Sequence, residues 1–416
     1  MNEQLNAIGK RAKEAAYRLA GADSGLKNQA LAAIRDALKA EAATIAEANG
    51  KDLASGRENG MSDALLDRLS FPESRITAAA NAVDEIIALP DPVGRVLTGN
   101  THPNGMKIEK VTVPLGVIGV IYEARPNVTI DAAALCLKAG NAVILRGGKE
   151  AIESNTATVG VMRAALERAG LPADCIQLVT DTTRESANEM MKLNEYIDVL
   201  IPRGGAGLIS SVVKNATVPV IETGTGNCHI YVDKYADIAM AADIIFNAKT
   251  SRPSVCNAAE SLLIHEKIAD KALPIIAEKL SAKNVEFVGD SAARAIVPDI
   301  RPATEEDWGR EYLDYKMSVK IVESLDEAIR HINQYGTRHS EAIITSHYDN
   351  AEKFLNRVDA AAVYVNASTR FTDGGVFGFG AEIGISTQKL HARGPVGLPE
   401  LVSTKYMIRG KGQIRE

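Results

Sequence analysis

A thiol, a carboxylate and a carboxamide stand in polar, glycine-rich surroundings along this chain, and together they could carry out acyl chemistry. Cys256 lies in SRPSVCNAAES, a polar stretch of small residues just before the run AESLLIH (259–265). As a thiolate it would attack an acyl carbon, whereas as a thiol it would be one more buried packing residue, as most free cysteines are. Cys136, on the apolar stripe AAALCLKAG, and Cys228, in TGTGNCHIY beside a strand-like run, read as packing residues. Glu222 ends VPVIE and is followed by TGTG, a turn that exposes its carboxylate for work as a base or for orienting a cofactor. Asn127, in EARPNV, can donate its amide to an oxyanion or form the Asx turn common after proline.

Two further segments offer anion sites. The turn Arg203-Gly204-Gly205-Ala206-Gly207 follows DVLIP and opens a helix, where free backbone N–H groups can receive a phosphate. It is not a GxGxxG fingerprint, and the same glycines suit a plain tight turn. NAVILR ends in Arg146-Gly147-Gly148-Lys149, two cations at the carboxyl end of a parallel strand, where α/β sheets hold ligands. Cations there suit a ribose bearing a 2′-phosphate better than bare hydroxyls; solvated loop charges are the plainer reading.

Positioning these groups requires a layered α/β scaffold. Residues 1–89 are almost wholly helical in pattern, with Leu26, Ala30, Ile34 and Leu38 recurring every three to four residues. MKIEKVTVPLGVIGVIY (106–122) reads as two strands broken at Pro114-Leu115-Gly116, with Pro114 marking an edge. Strands at 141–146, 175–179, 198–202 and 218–222 then alternate with helices over 153–169, 183–193 and from Ala206, which specifies a parallel sheet covered on both faces. A second α/β block begins near Asp237, with strands at 259–265, 319–323, 341–346 and 361–366. LVSTKYMI (401–408) is strand-like and far from both blocks, and with 106–116 it is expected to pair between subunits.

At 416 residues, 46% hydrophobic and 24% charged, the chain has material for two or three lobes of a soluble protein. A net charge of −6 and a pI near 5.8 argue against nucleic acid as a partner. No long apolar run suggests a membrane span, and the amino terminus has helical spacing rather than a signal h-region. Four cysteines without a CxxC pair suit neither a disulfide framework nor a metal site, so a reducing, cytoplasmic setting is expected.

Taken in order, these pieces resemble the aldehyde dehydrogenase superfamily: Asn127 after a proline turn, Arg146 at the end of VILR, Glu222-Thr-Gly, then Cys256. Within it, the sequence is similar to the γ-glutamyl phosphate reductase (glutamate-5-semialdehyde dehydrogenase) branch over essentially its whole length. The segment VESLDEAIRHINQYGTRHSEAI (322–343) carries this most specifically, supported by YEARPNVT (122–129), IPRGG (201–205) and GAEIGISTQKLHARGPVGL (380–398). Lys149, Tyr315-Lys316 and Thr225-Gly-Asn depart from ordinary aldehyde dehydrogenases, so cofactor contacts are expected to differ in detail.

The resemblance implies an aldehyde-dehydrogenase-like fold: a Rossmann-like NADP-binding domain (1–104 and 120–234), an α/β catalytic domain (235–378) and oligomerisation strands (105–119 and 394–416). It implies Cys256 as nucleophile, Asn127 and the Cys256 N–H as oxyanion donors, and Glu222 in the catalytic set. Arg146, Gly147, Gly148, Lys149, Arg203, Gly204, Gly205 and Glu311 would hold NADPH, Glu311 on the nicotinamide ribose. Arg125, Arg252 and Arg370 would grip the phosphate or α-carboxylate of L-glutamyl 5-phosphate, received from glutamate 5-kinase by a homo-oligomer. A hydrolytic or CoA-acylating aldehyde dehydrogenase is the alternative. A silent nucleotide-binding scaffold fits poorly with Cys256, Glu222 and Asn127 occurring together. His331 and His339 read as structural.

Overall fold

Leu5, Ile8, Ala12 and Ala16 share one face of helix Glu3–Leu19 and lie in one core with Val117, Ile121, Ile144 and Leu200. The amino-terminal spacing therefore docks a helix on the first parallel sheet, as an apolar stripe must. The computed structural model describes residues 3–415. It divides into a first unit (through Thr223, with Gly378–Gly384 and from Val396 onward) and a second (Gly224–Phe377 with Ile385–Pro395).

In the first unit four strands lie in the order Ile176–Leu178, Ala142–Arg146, Val117–Tyr122, Val199–Arg203, all parallel. Every residue of Val117–Tyr122 is buried, as a parallel strand covered on both faces requires. Because all four run the same way, Glu123, Gly147 and Gly204 emerge from one edge of the sheet. The expected strand at 218–222 does not form; only a single bridge joins Val220 to Leu200. Pro219 has no N–H to donate, so the ladder stops there.

A separate antiparallel sheet joins Val96–Thr101, Lys107–Pro114 and Val402–Arg409 in that order. The expectation of pairing between subunits is corrected here: Lys107–Pro114 and Val402–Arg409 pair with each other within one chain, from Lys107↔Arg409 to Pro114↔Val402. Returning the carboxyl-terminal segment satisfies both backbones locally. Lys107–Pro114 is consequently the central strand, and Pro114 is tolerated because it is the last residue of the ladder.

The second unit holds seven parallel strands in the order Arg301–Pro302, Glu286–Gly289, Lys316–Val322, Ala259–His265, Cys228–Val232, Ser340–Ile344, Ala362–Val365. One face packs helices Ile238–Thr250 and Glu266–Ser281, with Ile245, Leu273 and Ile276 in the core. The other packs helices Leu325–Tyr335 and Tyr348–Arg357 through Ile329, Ile332 and Phe354. The unit begins at Gly224 and not after residue 234, because Cys228–Val232 is the neighbour of Ala259–His265. No helix among the described residues is long and apolar enough to cross a membrane.

Candidate active site

At the carboxyl edge of the first sheet lies a cavity of about 820 Å³ lined by Arg146, Gly148, Lys149, Arg184 and Lys192 among others. Gly147 is required there: a Cβ would run into the Asn155 amide and come within 3.2 Å of the Tyr122 ring. Arg146 reaches the cavity, yet its Nη2 donates to the carbonyls of Thr182 (2.6 Å) and Thr183 (2.9 Å). Lys149 is exposed. The Gly204-Gly205 turn opens helix Ala206–Asn215 as expected, and the Gly205 N–H donates to a carboxylate oxygen of Glu123 at 2.9 Å. That N–H already holds an anion supplied by the chain itself. Gly207 lines the same cavity.

Asn127 sits in the first turn of helix Pro126–Lys138, which proline opens where its missing N–H costs nothing. Its Nδ2 donates to Asp131 at 3.0 Å, one turn on, leaving the second amide hydrogen for another acceptor. Burial pushes the Asp131 carboxyl up to about 6; Asn127 opposes this, Glu382 adds to it and Arg203 opposes it. Arg125, half-buried, precedes the same helix, and Glu222 is half-buried at the end of the first unit's main segment.

Cys256, Arg252, Arg370 and Glu311 belong to the second unit. Cys256 lies in the turn entering strand Ala259–His265 and is half-buried, whereas Cys136, Cys175 and Cys228 are buried. Burial, and then the Glu341 charge, hold the Cys228 thiol well above its ordinary value. The main chain of Cys256 is fixed from several sides. Cys228 Sγ donates to its carbonyl at 3.2 Å, and Gly226 lies so close that a Cβ would fall on that oxygen and 2.8 Å from the Cys256 Cα. Next in sequence, Asn257 donates to the Thr372 carbonyl at 3.0 Å and accepts from Thr369 Oγ1 at 2.7 Å.

The Arg370 guanidinium donates to Asn257 Oδ1 and to Ser251 Oγ, beside Cys256. Burial lowers the Arg370 pKa and the Arg252 charge adds to this, while Cys256 works against it. Arg370 and Cys256 thus act on each other's charge, and Arg252 acts on Arg370. Glu311 accepts from the Gly226 N–H at 2.6 Å, so one carboxylate oxygen supports the glycine that presses on Cys256. Burial raises the Glu311 pKa and the Gly226 hydrogen bond opposes it. His339 Nδ1 lies 2.8 Å from Ser340 Oγ, and His331 packs on Trp308 and Tyr335; both rings are buried.

Three features escaped the sequence reading. Asp131 had a usable signal, its spacing of four from Asn127 on one helix. Gly226 had none, because its contact with Cys256 exists only once the strands are paired. The third is a fully buried ion pair, Lys249 Nζ to Glu260 at 2.7 Å, which joins the end of helix Ile238–Thr250 to strand Ala259–His265 and so closes the segment bearing Cys256. Glu260 also accepts from Leu313 N at 3.1 Å, where Leu313 takes φ +58° two residues after Glu311. Burial pushes Glu260 up to about 7 against the pull of Lys249. Lys249→Met should cost about 3–5 kcal/mol, because it leaves a buried carboxylate alone. Urea unfolding checks this, and the double variant Lys249→Met/Glu260→Leu should recover most of the loss; a single variant as stable as the parent would contradict the pairing.

The aldehyde dehydrogenase family model matches residues 1–303 and 317–388. Gamma-glutamyl phosphate reductases of Clostridium perfringens and Clostridium botulinum are 61% and 62% identical over 100% and 99% of this chain and 100% of their own length. A crystal structure of gamma-glutamyl phosphate reductase from Thermotoga maritima superposes with a TM-score of 0.97 at 50% identity, covering 99% of this chain and 100% of that one. An acetylating aldehyde dehydrogenase from Geobacillus thermoglucosidasius shares the fold at 19% identity and a TM-score of 0.72, over 100% of this chain and 98% of its own. The chain belongs to the aldehyde dehydrogenase family, among its gamma-glutamyl phosphate reductases.

Proposed function

We propose that this chain reduces L-glutamyl 5-phosphate to L-glutamate 5-semialdehyde and phosphate with NADPH, a step of proline biosynthesis. The observation that carries the reading is the half-buried Cys256, its main chain held by Cys228, Gly226 and Asn257, with Arg370 acting on it and Arg252 acting on Arg370. A thiolate there attacks the acyl phosphate carbon, the carbon–oxygen bond to phosphate breaks, and a thioester is left on Cys256. The oxyanion of that step is assigned to the Asn127 amide and the Cys256 N–H. Arg252 and Arg370 suit the departing phosphate or the α-carboxylate, and Arg125 is a further candidate.

The cavity of the first unit fits a nucleotide in volume and in the chemistry of its wall, with the lysine and arginine side chains Arg146, Lys149, Arg184 and Lys192 among its lining. Arg146, Gly147, Gly148, Lys149, Arg203, Gly204 and Gly205 would hold the cofactor there, and Glu311 is assigned to its nicotinamide ribose. NADPH, when bound, supplies the hydride that converts the thioester to the aldehyde level. Glu222 is then the carboxylate available for proton transfer. We further read the chain as a cytoplasmic homo-oligomer assembling through the three-stranded sheet, receiving its substrate from glutamate 5-kinase.

The test runs the reaction backwards with glutamate 5-semialdehyde and NADP. Oxidation should proceed only when inorganic phosphate is present, since phosphate is the group that must release the thioester. Turnover supported by water alone or by coenzyme A would favour a hydrolytic or CoA-acylating enzyme instead.

A further inference from the structure

The cavity of the first unit presents four cations, Arg146, Lys149, Arg184 and Lys192, and they are not equivalent. Arg146, the natural partner for a 2′-phosphate from its place at the end of Ala142–Arg146, is half-buried and donates to the carbonyls of Thr182 and Thr183. Glu150 and Asp181 lie close enough to act on its charge. Its Nη2 is committed to those two carbonyls, and its Nε is buried with no partner among the described residues. The two carbonyls that it holds belong to the residues just before Arg184. In the same loop Thr183 N donates to Asp181 at 2.9 Å, and Thr183 Oγ1 accepts from Ser186 N at 3.2 Å, capping helix Arg184–Met190. Arg184 itself is exposed on the cavity wall and is in no ion pair among the described residues.

Resting on the reading of the cavity as an NADPH site, we propose that Arg184, rather than Arg146, grips the 2′-phosphate, and that Arg146 is the positioning residue that fixes the loop presenting it. A guanidinium fork matches a phosphate bidentately, which a lysine cannot do. Lys149 adds a second charge from the 3₁₀ turn Lys149–Ala151, whereas Lys192 lies beyond the far end of the helix that Arg184 opens. Glu150 lines the same wall and disfavours an anion on its own side, which leaves the Arg184 side as the better place for the phosphate.

The experiment measures kcat/KM with NADPH and with NADH, and the binding of 2′,5′-ADP and 5′-AMP by calorimetry, for the parent, Arg184→Ala and Arg184→Lys. Loss of one charge-assisted contact corresponds to roughly ten- to hundredfold. Arg184→Ala should lower both the NADPH/NADH ratio and the 2′,5′-ADP/5′-AMP affinity ratio by that factor, and Arg184→Lys should recover part of each. A parent with a clear NADPH preference that Arg184→Ala leaves unchanged overturns the assignment. Equal weakening of 2′,5′-ADP and 5′-AMP overturns it too, since the arginine would then serve the nucleotide in general. A parent that uses NADH as well as NADPH sinks the underlying reading of the cofactor.

Discussion

Cys256→Ala should still bind nucleotide yet reduce acyl phosphate at less than about a hundredth of the parental rate, because the proposed route through a thioester loses the sulfur that would carry it. Cys256→Ser should be nearly as poor. A serine hydroxyl stays almost wholly protonated near neutral pH, whereas a thiol is ordinarily partly ionised there and is a far better nucleophile. Cys136→Ala should keep its activity, since burial holds that thiol far above its ordinary value and nothing exposes it. Cys228→Ala should lose part of it, because the Cys256 carbonyl then lacks the donor at 3.2 Å. Rates with excess enzyme over one turnover, together with nucleotide binding by fluorescence, check all four variants. A Cys256→Ala enzyme at full rate with an inactive Cys136→Ala would move the nucleophile, and with it the roles given to Asn127 and Glu222.

A second large loss is expected from a change that removes no functional group. Gly226→Ala adds one methyl group, and it would fall on the carbonyl oxygen of Cys256. A flexible side chain can swing aside from such a contact; a main-chain carbonyl held by Cys228 and flanked by the anchored Asn257 cannot. Either the Cys256 turn moves or Gly226 moves and gives up its hydrogen bond to Glu311. Displacing a reacting atom by about 1 Å is worth roughly a hundredfold in rate. The variant should therefore lose about that factor in kcat with nucleotide affinity nearly unchanged, and iodoacetamide should alkylate Cys256 at an altered rate. Parental kcat in a folded Gly226→Ala protein would show that the contact does not constrain the nucleophile.

How far the sequence reached depends on whether a feature is local. AESLLIH has the pattern of a strand, and Ala259–His265 is one, because a short apolar run between polar turns has few other uses. VPVIE looked equally strand-like and failed, since apolar character does not supply the N–H that Pro219 lacks. Glu286–Gly289 and Arg301–Pro302 were not anticipated: one is four residues long and the other two, too short for a period to show. Cys256 stood out by its polar setting. Its supports, Gly226 and the Lys249–Glu260 pair, arise from strand neighbours that no spacing announces. Arg146 was legible as a cation at a strand end, but not its attachment to Thr182 and Thr183, which depends on two loops meeting.

The pairing of Lys107–Pro114 with Val402–Arg409, reinforced by the Asn141 amide donating to the Leu401 carbonyl at 2.8 Å, sets an order on biosynthesis. A nascent chain releases the first unit's residues through Thr223 before those of Gly224–Phe377, yet that unit's antiparallel sheet has no third strand until Arg409 has left the ribosome. Contacts of such long separation close late. The unit made first is thus the one completed last, and a transcript cut short near its end yields a polypeptide with an open sheet edge on Lys107–Pro114, a template for association with other unfinished chains.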